Sequence, residues 1–227
     1  MRVPLLLLSL TLLPGASLSR PADAPPAPAP AGAEIRAALQ AGEHDRAVAL
    51  AEKAAAADPK SSEAQQWLGR AYGEKARTAS VLKAPGLAKK AKAAWEKAVA
   101  LDPDNVVARS DLVEFYSRVP GIIGGDAAEA RRQADEILRR NPARGHLAWG
   151  TIHEAGKDFP KAEAEFRIAA ETAGADASDR VRGWWRLARL FEKQGKRDEA
   201  VAALRRAVEV DPGYDRARKD LKRLTKG

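Results

Sequence analysis

The chain is 227 residues long, sets 39 lysines and arginines against 31 aspartates and glutamates for a formal net charge of +8, and has no cysteine. The missing thiol excludes disulfides, thiol catalysis, thiolate metal sites and a lipid-carrying cysteine behind a leader.

The amino-terminal pattern comes first in chain order. Arg2, the apolar run from Val3 to Leu13, the Pro14-Gly15 break and the small residues of Ser17-Leu18-Ser19 predict a cleaved signal peptide over residues 1–19. So short a run falls well below the roughly 20 residues needed to cross a bilayer. The expected mature chain is therefore exported, periplasmic and soluble. Residues 20–32, RPADAPPAPAPAG, hold five prolines and predict an extended Pro/Ala-rich linker, since proline cannot continue a helix.

From residue 33 to 227 the pattern is helical. Asp58-Pro59, Asp102-Pro103, Asn141-Pro142 and Asp211-Pro212 each predict a helix stop, and Gly174 supplies the stop missing from the longest interval. The clearest unit is residues 181–212. There Trp184, Leu187, Ala188 and Phe191 form one apolar stripe, Gly195 ends that helix, and Ala200, Leu204, Ala207 and Val208 stripe a second. Leu68, Gly69 and Tyr72 are answered by Ala91, Trp95 and Ala98 in the same way. Leu112, Val113 and Tyr116 are answered by Ala130, Ala134 and Ile137, and Trp149, Gly150 and His153 by Ala162, Phe166 and Ala169. Gly42, Ala47, Ala51 and Ala54 fit a first unit whose opening helix is shortened by the leader. Tyr214, Ala217, Leu221 and Leu224 predict a terminal helix with a basic outer face.

This order of large, Leu, small and aromatic residues, then Gly, Ala, a bulky residue, Ala and Pro, resembles the tetratricopeptide repeat. The resemblance implies an all-α, right-handed helical solenoid of about five helix–turn–helix units with a C-terminal capping helix. No unit of this size buries its apolar face alone, so neighbours must stack into one continuous core. It implies a protein-binding scaffold without catalytic residues.

Two units carry insertions, near 74–90 and near 118–126. In the first, Val81, Leu82 and Leu87 flank Ala84-Pro85-Gly86, which predicts helices running past the usual edge of the solenoid. In the second, Pro120-Gly121 ends a helix, and Asp126 with Glu129 three residues on predicts a capped start for the next. Gly121, Gly124 and Gly125 do not make a phosphate loop, because they join helices and are followed by Asp126 rather than Lys and Ser or Thr. Ile122 and Ile123 form an apolar tip expected to pack on the solenoid or on a partner. The insertions resemble those of a group of exported bacterial tetratricopeptide proteins. They resemble more loosely the Pro-Gly…Gly-Gly-Asp loop of the T component of tripartite solute transporters, whose lipid-attachment cysteine this chain lacks.

Charge is uneven. Lys75, Arg77, Lys83, Lys89, Lys90, Lys92 and Lys97 face Glu96 alone in residues 75–97. Such a run is either a solvated helix face or an attractor of polyanions. Export argues against nucleic acid and leaves peripheral contact with a membrane open.

No catalytic constellation emerges, and no cofactor or metal is expected. His146 and His153 lie seven apart on one predicted helix, about 10 Å by helix rise, too far to share a metal. The resemblance puts the first helix of each unit on a concave groove and nominates Arg70, Ser110, Glu114, Arg144, Thr151, Glu154, Arg182, Trp185 and Arg189 as its lining. Arg182, Trp185 and Arg189 form one ridge. A tryptophan between two arginines has the composition of an interface hot spot, and arginine forks onto carboxylates. An acidic peptide or peptide carboxyl terminus is the expected ligand, with packing of Trp185 against the preceding unit as the open alternative. The expected function is a periplasmic protein- or peptide-binding scaffold in envelope assembly or maintenance. The alternative is a solute-binding accessory component of a periplasmic transport system. A closed pocket of Arg144, Arg182 and Trp185 would favour the solute; an open groove would favour the peptide.

Overall fold

The computed structural model describes residues 31–226. Residues 1–19, expected to be a signal peptide, and nearly all of the expected linker over residues 20–32 lie outside the described residues. Among the described residues eleven α-helices follow one another: Ala31–Gln40 (α1), His44–Ala57 (α2), Ser62–Thr78 (α3), Ala84–Leu101 (α4), Val106–Arg118 (α5), Ala127–Arg140 (α6), Pro142–Ala155 (α7), Phe159–Glu171 (α8), Ala177–Lys193 (α9), Arg197–Val210 (α10) and Asp215–Thr225 (α11). Among the described residues one 3₁₀ turn, Gly121–Ile123, lies between α5 and α6. Consecutive helices pair into five hairpins, and α11 closes the end against α10. The first helix starts at Ala31, so Ala31 and Gly32 of the expected linker are helical.

The stops act where the sequence places them. Asp58, Asp102, Asn141 and Asp211 terminate α2, α4, α6 and α10. Asn141 serves twice, because its side chain also accepts a hydrogen bond from the Arg144 amide and opens α7, with Pro142 at the first helical position. Gly195, at φ +74°, takes the left-handed turn that ends α9, and the Lys196 amide then donates to the Phe191 carbonyl. Asp126 caps α6 through the amides of Ala128 and Glu129. The Glu129 carboxylate does not complete the reciprocal cap, because it is held by Arg132 and Gln133.

Small residues set the spacing between neighbouring helices. A Cβ on Gly69 would fall 2.4 Å from the Trp95 ring, one on Gly150 would fall 2.4 Å from the Phe166 ring, and one on Gly183 would fall 2.6 Å from the Ala170 backbone. These glycines are the sockets in which the large residue of the partner helix, or its backbone, rests. Phe166, Leu187, Leu204 and Ile137 are essentially fully buried in this way. Burying such side chains contributes roughly 1.5–3 kcal/mol each before entropy is counted. Ala217 is buried on α11, and Leu221 and Leu224 pack partly against the α9–α10 core, so the last helix caps the stack.

Odd-numbered helices touch one another along the series (α1 with α3, α3 with α5, α5 with α7, α7 with α9), whereas the even-numbered helices contact their odd-numbered neighbours. The odd helices therefore form the tight inner layer of a curved stack. Their facing residues are the floor of any groove.

Candidate functional site

Two ionic bands cross the inner layer. The first lies toward the starts of the inner helices. Arg70 on α3 forks onto Asp111 of α5, with Nε 2.7 Å from Oδ2 and Nη2 3.2 Å from Oδ1. Arg144 on α7 donates from Nε to Oδ1 of Asp179 on α9 at 2.8 Å, and Asn141 donates to the other oxygen at 3.1 Å. Asp179 is wholly buried, so these donors replace the water it has lost. Arg182 approaches the same carboxylate only to 3.6 Å. Its guanidinium makes no hydrogen bond among the described residues. Burial and the neighbouring Arg144 cation hold its pKa below the usual arginine range. Burial pushes the Asp111 carboxyl up, against the opposing pull of Arg70.

The second band lies nearer the helix ends. Glu114 on α5 meets Arg186 of α9 at 3.1 Å, Arg77 of α3 at 3.4 Å and Arg118 at 3.7 Å. Glu154 on α7 meets Arg118 at 2.8 Å, Lys193 of α9 in a short contact, and Arg186 at 4.0 Å. Four cations thus share two carboxylates across four helices. Burial alone would raise both glutamates. The surrounding cations outweigh it, Arg186 and Arg118 foremost at Glu114 and Lys193 and Arg118 at Glu154, so both lie below the ordinary carboxylate range. The reach of Arg186 from α9 to Glu114 on α5, over α7, shows how tightly the inner face curves.

Of the residues nominated from sequence, Arg70, Glu114, Arg144, Glu154 and Arg182 come together in these bands. Ser110 and Thr151 spend their hydroxyls on the carbonyls of Val106 and Leu147 in their own helices, which leaves them as floor rather than as donors to a ligand. Arg189 is half-exposed and reaches Glu192 at 3.5 Å. Trp185 turns away from the others. Its indole N–H donates to Asp220 of α11 at 2.9 Å, its ring meets Tyr214 edge-on at 6.4 Å, and Arg216 covers it at 5.5 Å. The ridge of Arg182, Trp185 and Arg189 is therefore split, with the Trp185 indole turned to the capping helix and the residue before it. Asp111, Arg118, Asp179, Arg186 and Lys193 are the members that sequence reasoning missed. The i,i+4 pair Glu114/Arg118 and the i,i+3 pair Asp179/Arg182 were the signals available.

At the second insertion, Ile122 is 91% exposed and Ile123 is half-buried. The loop amides are used internally: Gly124 donates to Gly121, Gly125 to Pro120 and Asp126 to Tyr116. The amides of Gly124, Gly125 and Asp126 are thus occupied within the turn. His146 lies 2.7 Å from Glu165, and His153 stacks on Trp149 within its own helix. Among the described residues, no three His, Asp or Glu side chains gather in one place that could hold a metal ion.

Two segments, residues 33–85 and 181–224, match tetratricopeptide-repeat family models. Among solved structures, the chain is similar to the thermophilic tetratricopeptide protein TTC0263 of Thermus thermophilus, at 24% identity over 87% of this chain and 100% of that one, with a TM-score of 0.61. It is also similar to the type IV pilus biogenesis factor PilW, at 19% identity over 79% of this chain and 76% of that one, with a TM-score of 0.51. No curated protein matches the chain. The two repeat matches and the structural likeness agree on a helical solenoid of the tetratricopeptide type.

Proposed function

We propose that this tetratricopeptide-repeat protein binds an acidic peptide segment or a peptide carboxyl terminus on its inner face, as a periplasmic scaffold in envelope assembly or maintenance. The observation that carries the reading is Arg182. Arg70, Arg144 and Arg182 come from three inner helices to share Asp111 and Asp179, and Arg182 keeps its donors unused. An unfilled guanidinium crowded by like charge gains from an incoming carboxylate. The periplasmic reading is supported by the leader pattern of residues 1–19. Capture of a small organic anion in a closed pocket finds no support, because Trp185 lies against α11 and does not join Arg144 and Arg182.

Calorimetric titration with an acidic peptide bearing a free carboxyl terminus tests the proposal, with amidated and basic peptides as controls. Arg182→Glu should weaken the acidic peptide at least about tenfold, the equivalent of one charge-assisted hydrogen bond. Equal binding of acidic and basic peptides, or an unchanged affinity in Arg182→Glu, refutes it.

A further inference from the structure

We infer that the edge of the solenoid formed by the two elongated hairpins is a docking surface for an anionic lipid bilayer. This surface is separate from the inner face and does not depend on the peptide-binding proposal. Three of the exposed large hydrophobic residues stand on two turns: Val81 at 88% and Leu82 at 94% between α3 and α4, and Ile122 at 91% between α5 and α6. Both turns join the two helices of one hairpin, so they emerge on the same edge of the stack. The 3₁₀ turn bearing Ile122 rests against α4, with the Lys92 side chain running beside Gly124.

The tips are held out rather than loose. Lys83 and Ala84 both donate their amides to the Ser80 carbonyl, which closes the turn and points Val81 and Leu82 into solvent. Helices α3 and α4 have 17 and 18 residues where α7 and α8 have 14 and 13. At 1.5 Å rise per residue, the extra turn carries the tip about 6 Å beyond the neighbouring edge. Exposed apolar groups on a convex projection can enter a deformable interface but offer a protein partner little flat area.

Charge selects the occupant. Lys83 adjoins Leu82, and Lys89 and Lys90 follow on α4; all three are exposed. Lys83 and Lys89 make no ion pair among the described residues, and the Lys90 ammonium lies over the Tyr72 ring at 5.2 Å. By helix rise, Lys89 and Lys90 sit about 8 Å behind the tip, a depth that suits phosphate headgroups when Val81 and Leu82 reach the acyl boundary. Lysine is depleted in protein–protein interfaces but favoured at anionic membranes, where each contributes roughly a fivefold gain in affinity.

The test is co-sedimentation of the full chain with phosphatidylglycerol-containing vesicles and with purely zwitterionic ones. The variants are Val81→Asp/Leu82→Asp and Lys83→Glu/Lys89→Glu, each checked for wild-type circular dichroism and melting. The inference expects binding to the anionic vesicles only, weakened by added salt, and at least about tenfold loss in each variant. Arg182→Glu should bind vesicles as wild type does. Wild-type-like binding by both tip variants, equal binding to zwitterionic vesicles, or no binding at all overturns it. In the last case the tips belong to a protein partner, which crosslinking from Leu82 would identify.

Discussion

Glu154→Gln removes one charge from the centre of the inner face and changes almost nothing else in shape. The Glu154 side chain is only 6% exposed and is shared by Arg118 at 2.8 Å, Lys193, and Arg186 at 4.0 Å. Breaking a fully buried ion pair costs about 3–5 kcal/mol. Here the cations keep access to water, Arg118 at 34% and Lys193 at 45% exposure, so part of that cost is recovered by rehydration. The expected loss is about 2 kcal/mol, or a melting temperature lower by about 4–8 °C for a domain of this size. Urea titration at neutral pH measures it, and a cycle with Arg118→Gln should give a coupling of about 1 kcal/mol or more. Acidification supplies an independent check. Although burial pushes the Glu154 carboxyl up, Lys193 and Arg118 pull it further down, below its ordinary value of 4.5. A depressed folded-state pKa stabilises above the unfolded pKa and is lost as pH falls through the folded one. The gap between wild type and Glu154→Gln should therefore be full above about pH 4.5 and close progressively below it. A loss under about 0.5 kcal/mol at neutral pH, or a gap that persists once the carboxylates are protonated, refutes the reasoning.

Three further predictions address other parts of the molecule. Trp185→Phe removes the indole donor to Asp220, and amide exchange in α11 should accelerate about tenfold while α1 and α2 are unchanged. Uniform acceleration along the chain would show that α11 is not a separable cap. Gly125→Ala places a Cβ 1.7 Å from the Val119 carbonyl, which forces the turn open and breaks the amide bonds to Pro120 and Tyr116. About 2 kcal/mol should be lost, with new protease cleavage between residues 119 and 126, and a wild-type melting curve would contradict the geometry. Glu114→Gln should bind an acidic peptide more tightly than wild type while melting at a lower temperature. Weaker or unchanged binding in calorimetry would count against an inner face that exchanges its own carboxylates for a ligand's.

The fold was legible because its signals are local. The stripe of Leu187, Ala188 and Phe191, the turn at Gly195 and the stop at Asp211 all lie within about one unit, and each reports a period, a left-handed turn or a proline. Gly69 and Gly150 were readable as small positions, although the Trp95 and Phe166 rings they receive come from the partner helix. The inner face was legible only in part. Sequence periodicity tells which residues leave the packing stripe, but not whether the next helix supplies them with a partner. Trp185 shows the limit: its orientation is decided by Asp220 and Tyr214, which lie beyond a whole intervening helix. Periodicity likewise places Glu154 on the inner face without showing its partners, because Arg118 and Lys193 reach it from 36 and 39 residues away.

The way the bands are paired sets how the inner face can bind. In the second band Arg77, Arg118, Arg186 and Lys193 already hold two carboxylates, so an acidic ligand arriving there meets cations that have partners. It gains by exchange: the ligand carboxylate replaces Glu114, which is a third exposed and can return to water, more easily than Glu154, which cannot. The first band differs, because Arg182 has donors to spare and nothing must be displaced. On the proposed reading, a peptide carboxylate would anchor first at Arg182 and then compete with Glu114 along the groove. Exchange of one carboxylate for another yields little net Coulomb energy in a solvent-open face. Selectivity then rests on the spacing of acidic groups along the ligand, which must match both bands at once to bind better than either alone.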